Sequence, residues 1–306
     1  MTTSSGSSRQ VEQAQARFAR VAFAEWLGVT ISEVAHDRAV LVLPYRPEHL
    51  NVAGVLNGGA SASLLTMAGT LAAWTGVDLD ADPQLSCVDC SVQYLAPAAE
   101  EDVVAEARVL RRGRGLVFLD VALRSQAGNP ICQGLLSYQT SDYAGQTPRL
   151  RAQHALLPAP TPLIPPAGHR LFHGYVRKLD ITPLHQSPGR VRLHMPCTAM
   201  HMDERGQLHA GALASIVDIA AVTASWSLVP RREGARGSTI GMQVSYPSGT
   251  AAAVVADAHV QQRSEELLFS TVHVTTAVSG QLVAMGQVSY RLLEPWPEGS
   301  SSSGNA

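Results

Sequence analysis

Apolar and polar residues alternate with a period of two over residues 29–44, 85–95, 103–111, 116–124 and 131–139. That period, with the β-branched residues it contains, predicts strands. Residues 60–74 break the alternation. They are apolar on every side and end just before Gly76, which predicts a buried helix. Ahead of the first strand, residues 11–27 carry Val11, Phe18, Val21, Ala22 and Trp26 on one stripe, a short amphipathic helix. Residues 51–59 read as a loop, and Ala127-Gly-Asn-Pro130 as a turn.

The same order then recurs. A strand pair is predicted over 176–195, a helix over 206–226, and strands over 238–246, 251–261, 267–276 and 282–291, with a turn at Ser279-Gly280. The string from Leu56 to Thr66 aligns with that from Leu208 to Asp218, 152 residues later. The same offset pairs Trp74 with Trp226, Val92 with Val244, Tyr94 with Tyr246, Gly134 with Gly286, and Ser137-Tyr138 with Ser289-Tyr290. The chain therefore reads as two copies of one unit, spanning 11–140 and 170–293. Each unit holds one long helix and a mostly antiparallel meander, an α+β arrangement. Residues 141–169 contain six prolines and read as a semi-stiff linker. Residues 1–10 and 294–306 read as disordered tails.

Composition narrows the functional classes. Charged residues make up 16% and the formal net charge is −2, so no polyanion partner is indicated. Lys178 is the only lysine, so any phosphate site must use arginine, helix ends or backbone. The first residues are polar, so no secretory leader is expected, and the two apolar stretches are too short and polar for a membrane span to be expected. A cytoplasmic location, with no membrane partner, is expected. Cys87 and Cys90 form an isolated C-x-x-C within a strand pattern, where a spacing of three sets the thiols on opposite faces. No second such pair completes a metal site, so no metal is expected.

The chemistry concentrates at Asp218, the one acid in the apolar stretch 206–226. An ionised, unpaired carboxylate there costs several kcal/mol, so it is either satisfied by a neighbour or used. Small residues at Ala214, Ser215 and Ala221 leave space beside it.

The string G-x-L-H-A-G-A-L-A-S-I-V-D at 206–218, with the Val-Ser-Tyr motifs ending at Tyr246 and Tyr290, resembles the hotdog-fold acyl-CoA thioesterases. The nearest kind is the phenylacetate-pathway type of the 4-hydroxybenzoyl-CoA thioesterase superfamily. The resemblance covers nearly all of both units. It implies two tandem hotdog units, each a long central helix wrapped by a curved antiparallel sheet, paired as an intrachain pseudo-dimer. It also implies hydrolysis of an acyl-CoA thioester to free acid and CoA, with coenzyme A entering only as part of the substrate and no separate cofactor.

The implied roles follow position by position. The acid is Asp218, supported by Thr239; Asn51 and Gly58 come from the other unit. Asn57, Gly59 and His209 are possible supports. Asn57 stands where the family has histidine, which puts the loop geometry in question. The related site would combine Thr66, Cys87, Asp203 and Ala210, and it lacks the acid, so one working and one vestigial site are expected. Asp218 would serve as base or nucleophile, Gly58 would present a backbone N–H to the carbonyl, and Asn51 would place a water. His209 is expected to cap a helix rather than catalyse. For the CoA phosphates the candidates are Arg112, Arg114, Arg231 and Arg232.

Two alternatives stay open. One is a non-catalytic acyl-CoA-binding protein; regulators on this fold carry a DNA-binding module, for which residues 1–27 offer at most one helix. The other is a hotdog-fold enoyl-CoA hydratase or dehydratase, whose paired Asp and His on one short segment is not found here. No nucleic-acid partner is expected, and pairing of the chain with itself, as a homodimer or higher homo-oligomer, is.

Overall fold

A computed structural model describes residues 3–81, 84–141, 174–229 and 235–293. The predicted linker and C-terminal tail lie outside these residues, apart from Ser141 at a strand end.

Strands β1 (Thr30–Ala35), β2 (Arg38–Leu43), β3 (Gln84–Tyr94), β4 (Val103–Arg112), β5 (Leu116–Ser125) and β6 (Pro130–Ser141) come from the first half. Strands β7 (Thr182–Ser187), β8 (Arg190–Met195), β9 (Arg236–Ser245), β10 (Val254–Ser264), β11 (Leu267–Thr276) and β12 (Leu282–Leu293) come from the second. All twelve form one sheet in the order β1-β2-β4-β5-β6-β3-β9-β12-β11-β10-β8-β7. The order is a palindrome of the repeat, joined where β3 pairs antiparallel with β9. At that seam Ser91 faces Gln243, its own counterpart 152 residues on, so a pseudo-twofold axis passes there.

The two apolar helices, α3 (Gly58–Trp74) and α5 (Ala210–Trp226), are buried almost throughout, packed against the sheet. Leu, Val and Ala from both helices and from the inward positions of the strands make one core, worth roughly 25 cal/mol per Å² of apolar surface removed from water. The helices meet antiparallel at their first turns. A Cβ on Gly59 would lie 2.8 Å from the Ser215 Cα, and one on Gly211 would lie 2.7 Å from the Ser63 Cα. Only glycine allows that approach. Ser63 and Ser215, again 152 apart, sit on the axis with their hydroxyls 3.1 Å from each other. Tyr175 Oη bonds both of them, at 3.1 and 3.0 Å.

Four expectations change. Helix α1 runs from Thr3 to Phe18, so the helix starts within the predicted N-terminal tail, and α2 (Ala22–Leu27) is a separate helix. Ala14 and Phe18 are buried and α1 packs on α3; once that turn is nucleated, extending it upstream costs little. The predicted strand pair from 176 is preceded by a short helix, α4 (Gly174–Lys178), because Tyr175, Val176 and Leu179 bury one helical face. Cys87 and Cys90 do not lie on opposite faces. A β-bulge between Cys87 and Asp89 inserts one residue, so both side chains pack against the core. The fourth change, at Asn51, belongs to the site.

Candidate active site

Antiparallel crossing delivers the N-terminus of α3 to the third turn of α5, where Asp218 sits 4% exposed. A Cβ on Gly58 would lie 2.8 Å from Asp218 Oδ2, so the bare glycine faces the carboxylate. The Gly59 N–H faces it too, while also donating to Asn57 Oδ1 at 2.9 Å as that residue caps α3. On the other side, Thr239 Oγ1 donates to Asp218 Oδ1 at 2.7 Å. A bulge between Ser289 and Tyr290 of β12 against Gly241 and Thr239 of β9 turns Thr239 inward. It is the repeat of the bulge that turns Cys87 inward in β3. Burial pushes the Asp218 carboxyl up to about 6, against the pull of Thr239 and the Gly59 N–H.

Tyr94 is part of this site and was not anticipated there. Its hydroxyl donates to the Gly58 carbonyl at 3.0 Å and pins the first residue of α3. The signal in the sequence was its place in the repeat; its counterpart Tyr246 has a buried hydroxyl with no hydrogen-bond partner among the described residues.

Asn51 is not joined to this cluster. Its Oδ1 accepts from the Ala53 N–H at 2.9 Å and the Val55 N–H at 3.4 Å, closing its own loop. Asp203 does the same in the other half, accepting from Arg205 and Gln207 at 2.9 Å each. The short Asn or Asp side chain mimics a backbone turn at both places.

The symmetry-related position is built differently. Thr66 Oγ1 donates to the Ser63 carbonyl of its own helix at 2.9 Å. Tyr138 lies against that helix, its hydroxyl donating to the Thr66 carbonyl at 2.9 Å, with Thr70 Oγ1 at 3.0 Å. Burial holds the Cys87 thiol well above its usual pKa, so it is neutral. His209 Nδ1 accepts from the Gly211 N–H at 2.9 Å, capping α5 as Asn57 caps α3. Burial lowers its pKa to about 4. Ala210 stands where the other site has Gly58.

Of the arginines expected to hold phosphate, Arg112 is committed elsewhere. It pairs with Asp37, and its Nη2 reaches the Ala72 carbonyl at 3.3 Å. That is near the far end of α3, about 21 Å from Gly58 at the helical rise. Arg114 is exposed in the β4–β5 turn; Arg231 and Arg232 lie outside the described residues. Among the described residues there is no His/Cys/Asp/Glu cluster able to hold a metal, and no helix long and apolar enough to cross a membrane.

Fold and site together define a tandem hotdog protein with one acid set at the meeting point of its two helices. The comparisons with known proteins agree on the fold. The thioesterase superfamily model matches residues 53–132. Human acyl-coenzyme A thioesterase 13 is 31% identical over 109 residues, 35% of this chain and 76% of that protein. A hot dog-fold protein of unknown function from Alicyclobacillus acidocaldarius superposes with a TM-score of 0.64 at 16% identity, covering 90% of this chain and 99% of that one. An acyl-CoA thioesterase II from Mycobacterium marinum gives 0.62 at 16% identity, covering 89% and 98%. The chain belongs to the thioesterase superfamily and is a thioesterase enzyme.

Proposed function

We propose that the protein hydrolyses acyl-CoA thioesters at one site per chain, with Asp218 as general base. The observation that carries this reading is the aim of the α3 N-terminus at a desolvated carboxylate whose other oxygen is held by Thr239. A helix N-terminus offers unpaired N–H groups and a positive dipole end. A thioester carbonyl seated there gains stabilisation as its oxygen becomes an oxyanion. A carboxyl near pH 6 is ionised at neutral pH yet basic enough to take a proton.

The step balances as follows. A water oxygen attacks the carbonyl carbon and its proton passes to Asp218 Oδ2. The tetrahedral intermediate collapses, the C–S bond breaks, and the CoA thiolate takes the proton back from Asp218. The products are free acid and CoA. Thr239 fixes the carboxylate; Tyr94 and Asn57 fix the start of α3. Asn51, Asp203 and His209 act in loop and helix caps. The Thr66 position has no base and serves packing.

The test is release of CoA from acetyl-, octanoyl-, palmitoyl- and phenylacetyl-CoA by the wild type and Asp218→Asn. At least about a hundredfold loss in kcat is expected from removing the base. Full activity in the variant, or no turnover by the wild type, would overturn the reading. Single turnover in H₂¹⁸O separates base from nucleophile: label only in the product acid fits a base, label in the Asp218 peptide fits a covalent anhydride.

A further inference from the structure

Where the two helices cross, Ser63, Ser215 and Tyr175 bring three buried hydroxyls together, and only the tyrosine comes from outside the helices. Ser63 Oγ lies 2.8 Å from the Gly59 carbonyl and 3.0 Å from the Gly211 carbonyl. Ser215 Oγ mirrors it, 2.8 Å from Gly211 and 3.0 Å from Gly59. Each serine therefore has one proton and two carbonyls in reach, one on its own helix and one on the other. Tyr175 supplies the extra proton, since its Oη is within hydrogen-bond reach of both serines. With that proton in the pair, both serine protons are free for the carbonyls. Without it, a serine oxygen finds a donor only in the other serine, and Gly59 or Gly211 loses its bond.

The serine pair obeys the repeat and the tyrosine does not. The counterpart of Tyr175, 152 residues earlier, is Phe23, which has no hydroxyl and lies against the His209 ring. Tyr175 is held in place by its own turn. Gly174 before it has a φ of 49° and passes the Leu50 carbonyl oxygen so closely that a Cβ would clash. The hydroxyl then reaches Asp218 through two residues. Ser215 stands one turn before Asp218 on α5, and Gly59 joins them: its carbonyl accepts from the serines while its N–H faces the carboxylate. Gly58, whose bare Cα faces Oδ2, is the next residue. Any drift of the Gly59 carbonyl therefore turns the α3 N-terminus away from the acid.

We propose that Tyr175 is a positioning residue for the site: its hydroxyl holds Ser63 and Ser215 on the Gly59 carbonyl and so keeps the start of α3 aimed at Asp218. The inference rests on the hydrolytic reading for its effect on rate. It extends the site to a residue that acts through Ser215 and Gly59 rather than on the reacting atoms. The titratable groups near Asp218 are Tyr94, Tyr175, Tyr290 and Cys132, and burial raises the pKa of each. All four are neutral where Asp218 titrates, so among them only Asp218 changes charge there.

The experiment is Tyr175→Phe, which keeps the ring and removes only the hydroxyl. In steady-state kinetics kcat should fall about tenfold with KM within about twofold, because slightly misplaced reacting groups lose rate without losing binding. The acid limb of the kcat–pH profile should move above about 6, since the Gly59 N–H that lowers the Asp218 pKa is no longer held. Ser215→Ala cuts the same link at its other end. It should give the same pattern, the double variant should lose no more than either single one, and it carries the test if Tyr175→Phe does not fold. A loss confined to KM, an unmoved acid limb, or losses that add in the double variant overturn the proposal. Carboxyl-carbon NMR of protein labelled with ¹³C-aspartate, its Asp218 signal assigned with Asp218→Asn, separates the proposal from the hydrolytic reading. A rise in the Asp218 pKa on removing the hydroxyl supports the positioning role even if the wild type turns nothing over. An unchanged pKa overturns it even if hydrolysis is confirmed.

Discussion

The two helix crossings share a backbone and differ in chemistry. At one, Gly58, Thr239 and Asp218 bring a bare glycine, a hydroxyl and a buried acid together. At the other, Ala210, Cys87 and Thr66 occupy the matching positions, and Tyr138 is bonded to the helix there. Both keep the features that hold the fold: the glycine–serine approach, the strand bulge, the cap at the helix start and the Asx-closed loop. Structure is thus retained twice and the buried acid once. The pattern separates what the crossing needs to pack from what the proposed role of Asp218 would require.

The sharpest way to break that comparison is to exchange its glycine. In Gly58→Ala the new methyl would stand 2.8 Å from Asp218 Oδ2, in the space the water and carbonyl need. Misplacing reacting atoms by about an ångström can cost a hundredfold, so a fall in kcat of about tenfold to a hundredfold is expected, with the melting temperature little changed. The reverse exchange, Ala210→Gly, should leave kcat within about twofold, because no base faces it. Steady-state rates of the two variants decide the matter; similar losses in both would mean that neither crossing is special.

A milder cut is at the hydroxyl. Thr239→Val keeps the shape and removes the hydrogen bond that lowers the Asp218 pKa. The acid limb of the kcat–pH profile should then move above about 6, while Thr239→Ser holds it in place. At pH 6 a several-fold loss is expected, much of it recovered at pH 8, where the base is ionised again. A pH-independent loss would assign Thr239 to packing alone.

How far these features were legible in the sequence depends on how local their causes are. The repeat offset, the two apolar helices and the strands were readable because periodicity reports which face is buried. Asp218 and Thr239 could be singled out by a lone acid and a resemblance. The thiol faces were misread because parity counting assumes an unbroken ladder, and the bulge beside Cys87 adds one residue. Asn51 was misread because an Asn that closes a turn and one that holds a water look alike until the loop's N–H groups are located. Arg112 looked free because its partner, Asp37, lies in another hairpin. Tyr94 and Tyr290 had only their places in the repeat; which bonds they make depends on Gly58 and Trp226, remote in sequence.

The smallest effect on activity is expected at the caps, and it sharpens the comparison through pH. His209 and Asn57 accept the same bond, each from the N–H two residues on. They differ in that His209 can titrate. Its folded pKa is about 4 against 6.5 for a free histidine, because burial disfavours the cation. Above pH 6.5 the imidazole is neutral in both folded and unfolded chains, so its full contribution is present. As pH falls from 6.5 to 4 the unfolded chain binds a proton that the folded chain refuses, and stability is lost. The difference in pKa corresponds to about 3 kcal/mol. His209→Asn should therefore lose the ring's contact with Phe23, 5.2 Å away, equally at all pH values, yet gain relative to wild type by up to that amount between pH 6.5 and pH 4. Urea unfolding of both proteins at intervals across that window measures it. Curves that stay parallel would mean that His209 takes up its proton without leaving its cap.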